Sequence, residues 1–215
     1  MSDIFSEVDE EVRKDKSVEL WNSYGKYVIA GSLLIVAATA SVVGWKNYQL
    51  SESQAQGNQF EQAAALVGEQ KFEDAAAAFS LLAKDGGAGY QALASLRQAS
   101  ALVQAGKGDE AVQVYDALAA NSDVDPEFSS IARVMAGYYL LNKGSTEEVR
   151  KRVADMEGAN QIWSATAREL MALSDLKDGK IEEARAKLKA LQEDASAPSG
   201  VKQRAGDLLT ALKNR

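Results

Sequence analysis

The chain has 215 residues, with 24 basic and 31 acidic side chains and neither histidine nor cysteine. A net charge of −7 without a basic cluster leaves no electrostatic footprint for nucleic acid. Missing imidazoles and thiols remove the usual zinc sites and the common nucleophile–base pairs, so the chain reads as no enzyme, with no cofactor, metal or small-molecule substrate.

Residues 1–26 form a short acidic segment, seven acidic side chains against four basic. Residues 27–45, YVIAGSLLIVAATASVVGW, then run nineteen positions without a charge between Lys26 and Lys46. As a helix they extend roughly 28 Å, the hydrocarbon thickness of a bilayer. Trp21, Tyr24 and Tyr27 stand at one end, Trp45 and Tyr48 at the other, where amphipathic rings favour the headgroup layer. Eight strong apolar residues contribute roughly −2 to −5 kcal/mol of insertion energy. Two glycines, two serines and Thr39 offset part of that. Ala38-Thr39-Ala40 fits a signal-peptidase pattern, but the long acidic lead and the apolar stretch continuing past it favour an uncleaved anchor. Ala37 with Ser41, and Ala40 with Gly44, are small-xxx-small pairs that suit packing against another membrane helix.

Arg13, Lys14, Lys16 and Lys26 precede the span and Lys46 follows it, which predicts a cytoplasmic N-terminus and a translocated C-terminal part. In a bacterium that part is periplasmic, and the absence of cysteine suits an oxidising compartment.

After the span, abundant alanine, only two prolines and no sustained period-two alternation predict helices throughout. Residues 46–58 read as a helical connector and 59–215 as a repeat domain. Four copies align: KFEDAAAAFSLL from Lys71, KGDEAVQVYDAL from Lys107, STEEVRKRVADM from Ser145 and KIEEARAKLKAL from Lys180. Their anchors Ala75, Ala111, Val149 and Ala184 are 36, 38 and 35 residues apart. Four positions on come Phe79, Tyr115, Val153 and Leu188, and three further Leu82, Leu118, Met156 and Leu191, all on one helical face.

Twelve residues before the anchors stand Ala63, Ala99, Gly137 and Ala172, small enough for a preceding antiparallel helix to approach closely. Gly106, Gly144 and Gly179 mark the turns of three copies. Ser145-Thr146-Glu147-Glu148 reads as a capping box, and Asp125-Pro126 as an N-cap with proline at the first helical position.

Gly86-Gly87-Ala88-Gly89 lacks the Lys-Ser/Thr of a phosphate loop and reads as a flexible inter-repeat turn. Asp123-Val124-Asp125 lacks the glycine and glutamate of a calcium loop. Residues 198–213 read as an amphipathic helix capping the last repeat.

Helix pairs of about 35 residues with this pattern resemble tetratricopeptide repeats. The predicted architecture is therefore all-α: one transmembrane helix, an α-solenoid of about four helical hairpins, and a capping helix. Tyr90, Tyr138, Tyr139 and Trp163 are the candidate partner-binding residues of the solenoid, with inter-repeat packing as their alternative role.

The whole arrangement is similar to the YfgM-like ancillary subunits of the SecYEG translocon. The resemblance lies in the acidic start Val8-Asp9-Glu10-Glu11, Tyr24-Gly25-Lys26-Tyr27 entering the span and Gly44-Trp45 leaving it. It extends through Tyr90-Gln91-Ala92-Leu93-Ala94-Ser95-Leu96, Trp163, and the terminal Leu-Leu-Thr-Ala-Leu. It implies a single-pass inner-membrane protein whose periplasmic repeats work beside SecYEG, helping pass exported chains to a membrane-anchored periplasmic chaperone. The competing expectation is a periplasmic scaffold for envelope assembly or cell division.

Overall fold

The computed structural model describes residues 3–158 and 162–213, and the regular structure among these is entirely helical. Contacts divide the chain into two compact units, Met1–Ala55 and Gln56–Arg215. Helix α1 (Asp3–Gly68) supplies the first unit and the opening helix of the second.

In the first unit an 18-residue window has mean hydropathy 2.0, and none of it is buried. Leu33, Leu34, Ile35 and Val36 all point away from protein. A core helix of a soluble protein buries such residues, so this is a candidate membrane span. Its polar groups are satisfied within the helix. The hydroxyls of Ser32, Thr39 and Ser41 donate to the carbonyls of Val28, Ile35 and Ala37, each at 2.8 Å. Such back-bonding removes most of the cost of carrying a hydroxyl through hydrocarbon.

The second unit begins with four helical hairpins. The end of α1 pairs with α2 (Phe72–Asp85), and α3 (Ala88–Gln104) with α4 (Gly108–Ala120). Then α5 (Pro126–Lys143) pairs with α6 (Thr146–Val153), and α7 (Ser164–Lys177) with α8 (Ile181–Glu193). Helix α9 (Ser199–Lys213) packs on α7 and α8 through Val201, Ala205 and Leu212 and covers the last apolar face.

Every hairpin turns the same way. One residue takes positive φ: Gln70 at 60°, Gly106 at 78°, Gly144 at 90° and Gly179 at 76°. Its N–H donates three residues back and the next N–H five residues back, as in Gly106 to Val103 and Lys107 to Leu102. The following carbonyl then accepts from the anchor: Lys71 from Ala75, Lys107 from Ala111, Ser145 from Val149, Lys180 from Ala184. The turn thus consumes the orphan carbonyls of one helix and starts the next at a fixed distance from its anchor.

Anchors, their larger partners four and seven residues on, and the small residues of the preceding helices are all buried. In the third hairpin, Val149 replaces the usual alanine and faces Gly137. A Cβ on Gly137 would come within 3.8 Å of the Val149 and Val153 methyls and within 3.0 Å of Leu170. The larger anchor and the missing methyl compensate.

Three local expectations need correction. Ser145 makes no side-chain capping bond, because it is the second residue of the shared turn and its backbone lies outside the extended N-cap region. Glu148 instead pairs with Arg152 at 2.7 Å. Only Gly86 and Gly87 form the first inter-repeat link, since α3 already begins at Ala88. The third hairpin's second helix also ends early and tightens into a 3-10 turn over Ala154–Met156, with Met156 still buried. Asp125 does cap α5, accepting from the Glu127 N–H at 2.9 Å with Pro126 next.

Ion pairs fasten the later hairpins to one another. The Arg152 guanidinium forks onto Asp116 at 2.9 and 2.6 Å, joining α6 to α4. Asp175 on α7 receives Arg150 from α6 at 2.8 Å and Lys187 from α8. Within the last hairpin Arg168 of α7 reaches Asp194 at the end of α8 at 2.6 Å. Burial pulls the Asp175 carboxyl upward, but Lys187 and Arg150 outweigh it and hold it below the usual carboxylate range. Ser196 and Arg168 hold Asp194 well below that range.

Three outcomes are expected. Gln70→Gly relieves a left-handed side chain and should raise stability by about 1 kcal/mol, read as an upward shift of the thermal midpoint. A Cβ at Gly108 overlaps the Tyr139 ring, so Gly108→Ala should cost about 1–3 kcal/mol. A double-mutant cycle with Tyr139→Ala should show that the two changes do not add. Asp175 and Asp194 bind protons more weakly folded than unfolded, so their stabilisation is full above the unfolded carboxylate pKa of about 4 and is lost as pH falls further. The denaturation midpoint should be flat from pH 7 to 5 and drop below pH 4, with a shallower acid limb in Asp175→Asn.

Candidate interaction surfaces

The first helices of successive hairpins touch in order, α3 on α5, α5 on α7 and α7 on α9, and so build one layer. Within it sits a carboxylate where the repeat register calls for an apolar side chain. Three residues before the small positions Ala99, Gly137 and Ala172 lie Leu96, Val134 and Glu169. Glu169 is only 1% exposed.

Arg204 of α9 meets it as a fork, Nε to Oε1 and Nη2 to Oε2, both 2.7 Å. From α5 the Tyr138 hydroxyl donates to Oε2 at 3.2 Å. Burial, then the Glu169 charge, pushes the Tyr138 hydroxyl up to about 12, which keeps it a donor. A buried carboxylate is tolerated only when paired and hydrogen-bonded, and here three helices supply what it needs. Because both carboxylate oxygens are engaged, the group ties α5, α7 and α9 together. A shallow concavity of ≈ 430 Å³ opens beside it, walled by Leu173 and Leu208 with Asp207 alongside. Sequence reasoning had singled out Tyr138 and missed its two charged partners. The legible signal was a glutamate in a core register, with an arginine one repeat length later.

The other aromatic candidates lie apart. Trp163 precedes α7 and, like Tyr138, packs on the cluster of Val134, Val149, Val153, Met156 and Leu170. Tyr139 covers Gly108, with Lys143 Nζ 5.7 Å from its ring centre. Tyr90 stands 6.3 Å from the Phe60 ring, and its hydroxyl lies 3.2 Å from where a Cβ on Gly57 would sit. Tyr138 and Trp163 therefore share a cluster, while Tyr90 and Tyr139 each pack elsewhere. Leu93 and Met135, on α3 and α5, are exposed apolar side chains of the same helical layer.

In the first unit Ala37, Ala40, Ser41 and Gly44 are all exposed along the span. The Ser41 hydroxyl is held by Ala37, and nothing lies within 4 Å of a Cβ built on Gly44. Among the described residues no group of three or more His, Cys, Asp or Glu side chains could hold a metal ion.

No curated protein and no solved structure matches the chain. The family model for the tetratricopeptide repeat-like domain matches residues 19–208, taking in the candidate span as well as all four hairpins and most of α9. With a match over most of its length and helical hairpins recurring at that period, the chain belongs to the tetratricopeptide repeat-like domain family.

Proposed function

We propose that the protein is a single-pass anchor and scaffold of the bacterial inner membrane, ancillary to the SecYEG translocon. In this reading residues 1–26 are cytoplasmic, 27–45 cross the membrane, 46–58 connect, and 59–215 form the periplasmic repeat domain. There the repeats contact exported chains and a membrane-anchored chaperone and help transfer one to the other.

The observation that carries it is an unburied, charge-free segment of membrane-spanning length in the same family match as a repeat domain of the protein-interaction kind. Four basic residues before the span against Lys46 after it favour the cytoplasmic N-terminus. The resemblance to YfgM-like subunits supplies the translocon and the chaperone. Ala37, Ala40, Ser41 and Gly44 offer a smooth ridge for a translocon helix, since small residues let backbones approach closely. On the periplasmic side the groove beside Tyr138, and the surfaces around Tyr90, Tyr139 and Trp163, are the partner contacts to test.

The test is mild-detergent copurification of the full-length protein with quantitative mass spectrometry, beside a variant whose span is replaced by an unrelated one. Translocon subunits should be enriched with the native chain and depleted at least severalfold on span replacement. Retention after replacement would move the contact to the repeats. Recovery of division or peptidoglycan-synthesis proteins, with no translocon, would replace this reading with an envelope scaffold.

A further inference from the structure

Helix α9 packs on α7 and α8 as a first helix packs on the hairpin before it, yet it is held differently. Its buried apolar side chains are Val201, Ala205 and Leu212, in one cluster with Leu188 and Leu191 of α8. Toward α7 the fit is incomplete, since the ≈ 430 Å³ concavity opens between Leu173 and Leu208. Gly200, Gly206 and Thr210 are poor helix formers, and a helix of 15 residues with this composition is marginal without a surface to dock on. The helix depends on its docking.

The polar hold on α7 has its two halves in different surroundings. Glu169 is buried, while half of the Arg204 side chain is exposed. When α9 moves away, water replaces the fork at the guanidinium and reaches the carboxylate. The reverse step is more demanding. A helix that returns without a cation at this point buries Glu169 with only the Tyr138 hydroxyl in place of the fork. A slip of one residue turns the helix by about 100° and carries Arg204 off the carboxylate. Closure thus tests both sequence and register.

The link before α9 is fastened independently of it. Asp194 accepts from the Ser196 N–H at 2.8 Å and from the Ser196 hydroxyl at 2.6 Å, and Arg168 of α7 holds the same carboxylate at 2.6 Å. Ala197 is buried. Pro198 follows, with no N–H to carry helical bonding back across it. The chain up to Pro198 therefore keeps its place when α9 leaves, and the pivot lies at Pro198–Ser199.

We propose that α9 is a strap that opens about Pro198–Ser199, with Glu169 as a catch that accepts only a helix presenting arginine in the Arg204 register. Opening uncovers the Leu188–Leu191 face of the last hairpin. The occupant the catch selects is an α9 segment, returned by the same chain or supplied by a second copy.

Hydrogen exchange of the full-length protein in nanodiscs reads the opening. The α9 amides should exchange at least roughly tenfold faster than those of α7, and roughly tenfold faster again in Arg204→Met, with α3 and α4 unchanged. Combining Glu169→Met with Arg204→Met should return α9 to within about threefold of wild type, because no buried charge is then left unpaired. A fluorescein-labelled peptide of residues 196–213, read by anisotropy, tests exchange in trans. It should bind the wild-type protein saturably and roughly tenfold more tightly than the same peptide carrying Arg204→Met. Against the Glu169→Met protein that preference should reverse. The proposal is overturned by α9 amides as slow as those of α7, or by no saturable binding at millimolar peptide. Equal binding of the two peptides to wild type, or an unchanged preference in Glu169→Met, would remove the catch.

Discussion

How closely two antiparallel helices can approach sets everything else in the repeat domain. A buried alanine or glycine on the first helix and a buried alanine on the second bring the backbones together, and the shared turn fixes where along each helix this happens. The larger side chains four and seven residues on then have one place to go. Val149 opposite Gly137 shows that volume is conserved across the pair more strictly than residue type. Such a unit cannot cover its own apolar faces, so hairpins stack, and the last one needs α9.

Once the backbone register is fixed, outward positions are free to differ, and charge exploits that freedom unevenly. From α4 onward each hairpin is stapled to the next, and the last one to α9, by at least one arginine–carboxylate pair. Several are partly buried, where screening is weaker and geometry tighter than at the surface. Between α2 and α4 the only comparable pair, Lys107 with Glu73, is exposed and contributes little. The opening of the domain is held by apolar contact, with Phe60 edge-on to Phe79 at 5.2 Å. The domain is thus held by charge at one end and by apolar contact at the other.

The repeat was legible because each of its periodic positions is occupied by side chains chosen for size, and size is visible in a sequence. Ala75, Phe79 and Leu82 could be placed on one buried face from spacing alone, and so could their counterparts. The turns were legible where glycine stands, and Gln70 was hidden because a side chain in the left-handed region leaves no compositional mark. The capping box at Ser145 misled for a related reason, since the motif is local while the residue's backbone is set by the turn before it. Distant partners were the least legible. Glu169 and Arg204 are 35 residues apart and meet only because the stacking brings α9 onto α7.

That same distance explains why residues conspicuous in the sequence need not be those that shape a surface. Tyr139 is spent covering Gly108, and its neighbour Tyr138 is half committed to Glu169, so aromatic character by itself does not say which face a partner meets. Neighbouring clefts differ at several positions of an otherwise repeated frame: Ser95 stands where Arg133 and Arg168 do, and Arg152 and Arg150 make ion pairs that the first cleft lacks. In a solenoid, comparing equivalent positions across repeats is a direct way to separate what the fold requires from what a site adds. Positions that stay small and buried in every copy serve the frame. Positions that change chemistry while the frame stays constant are free to serve binding.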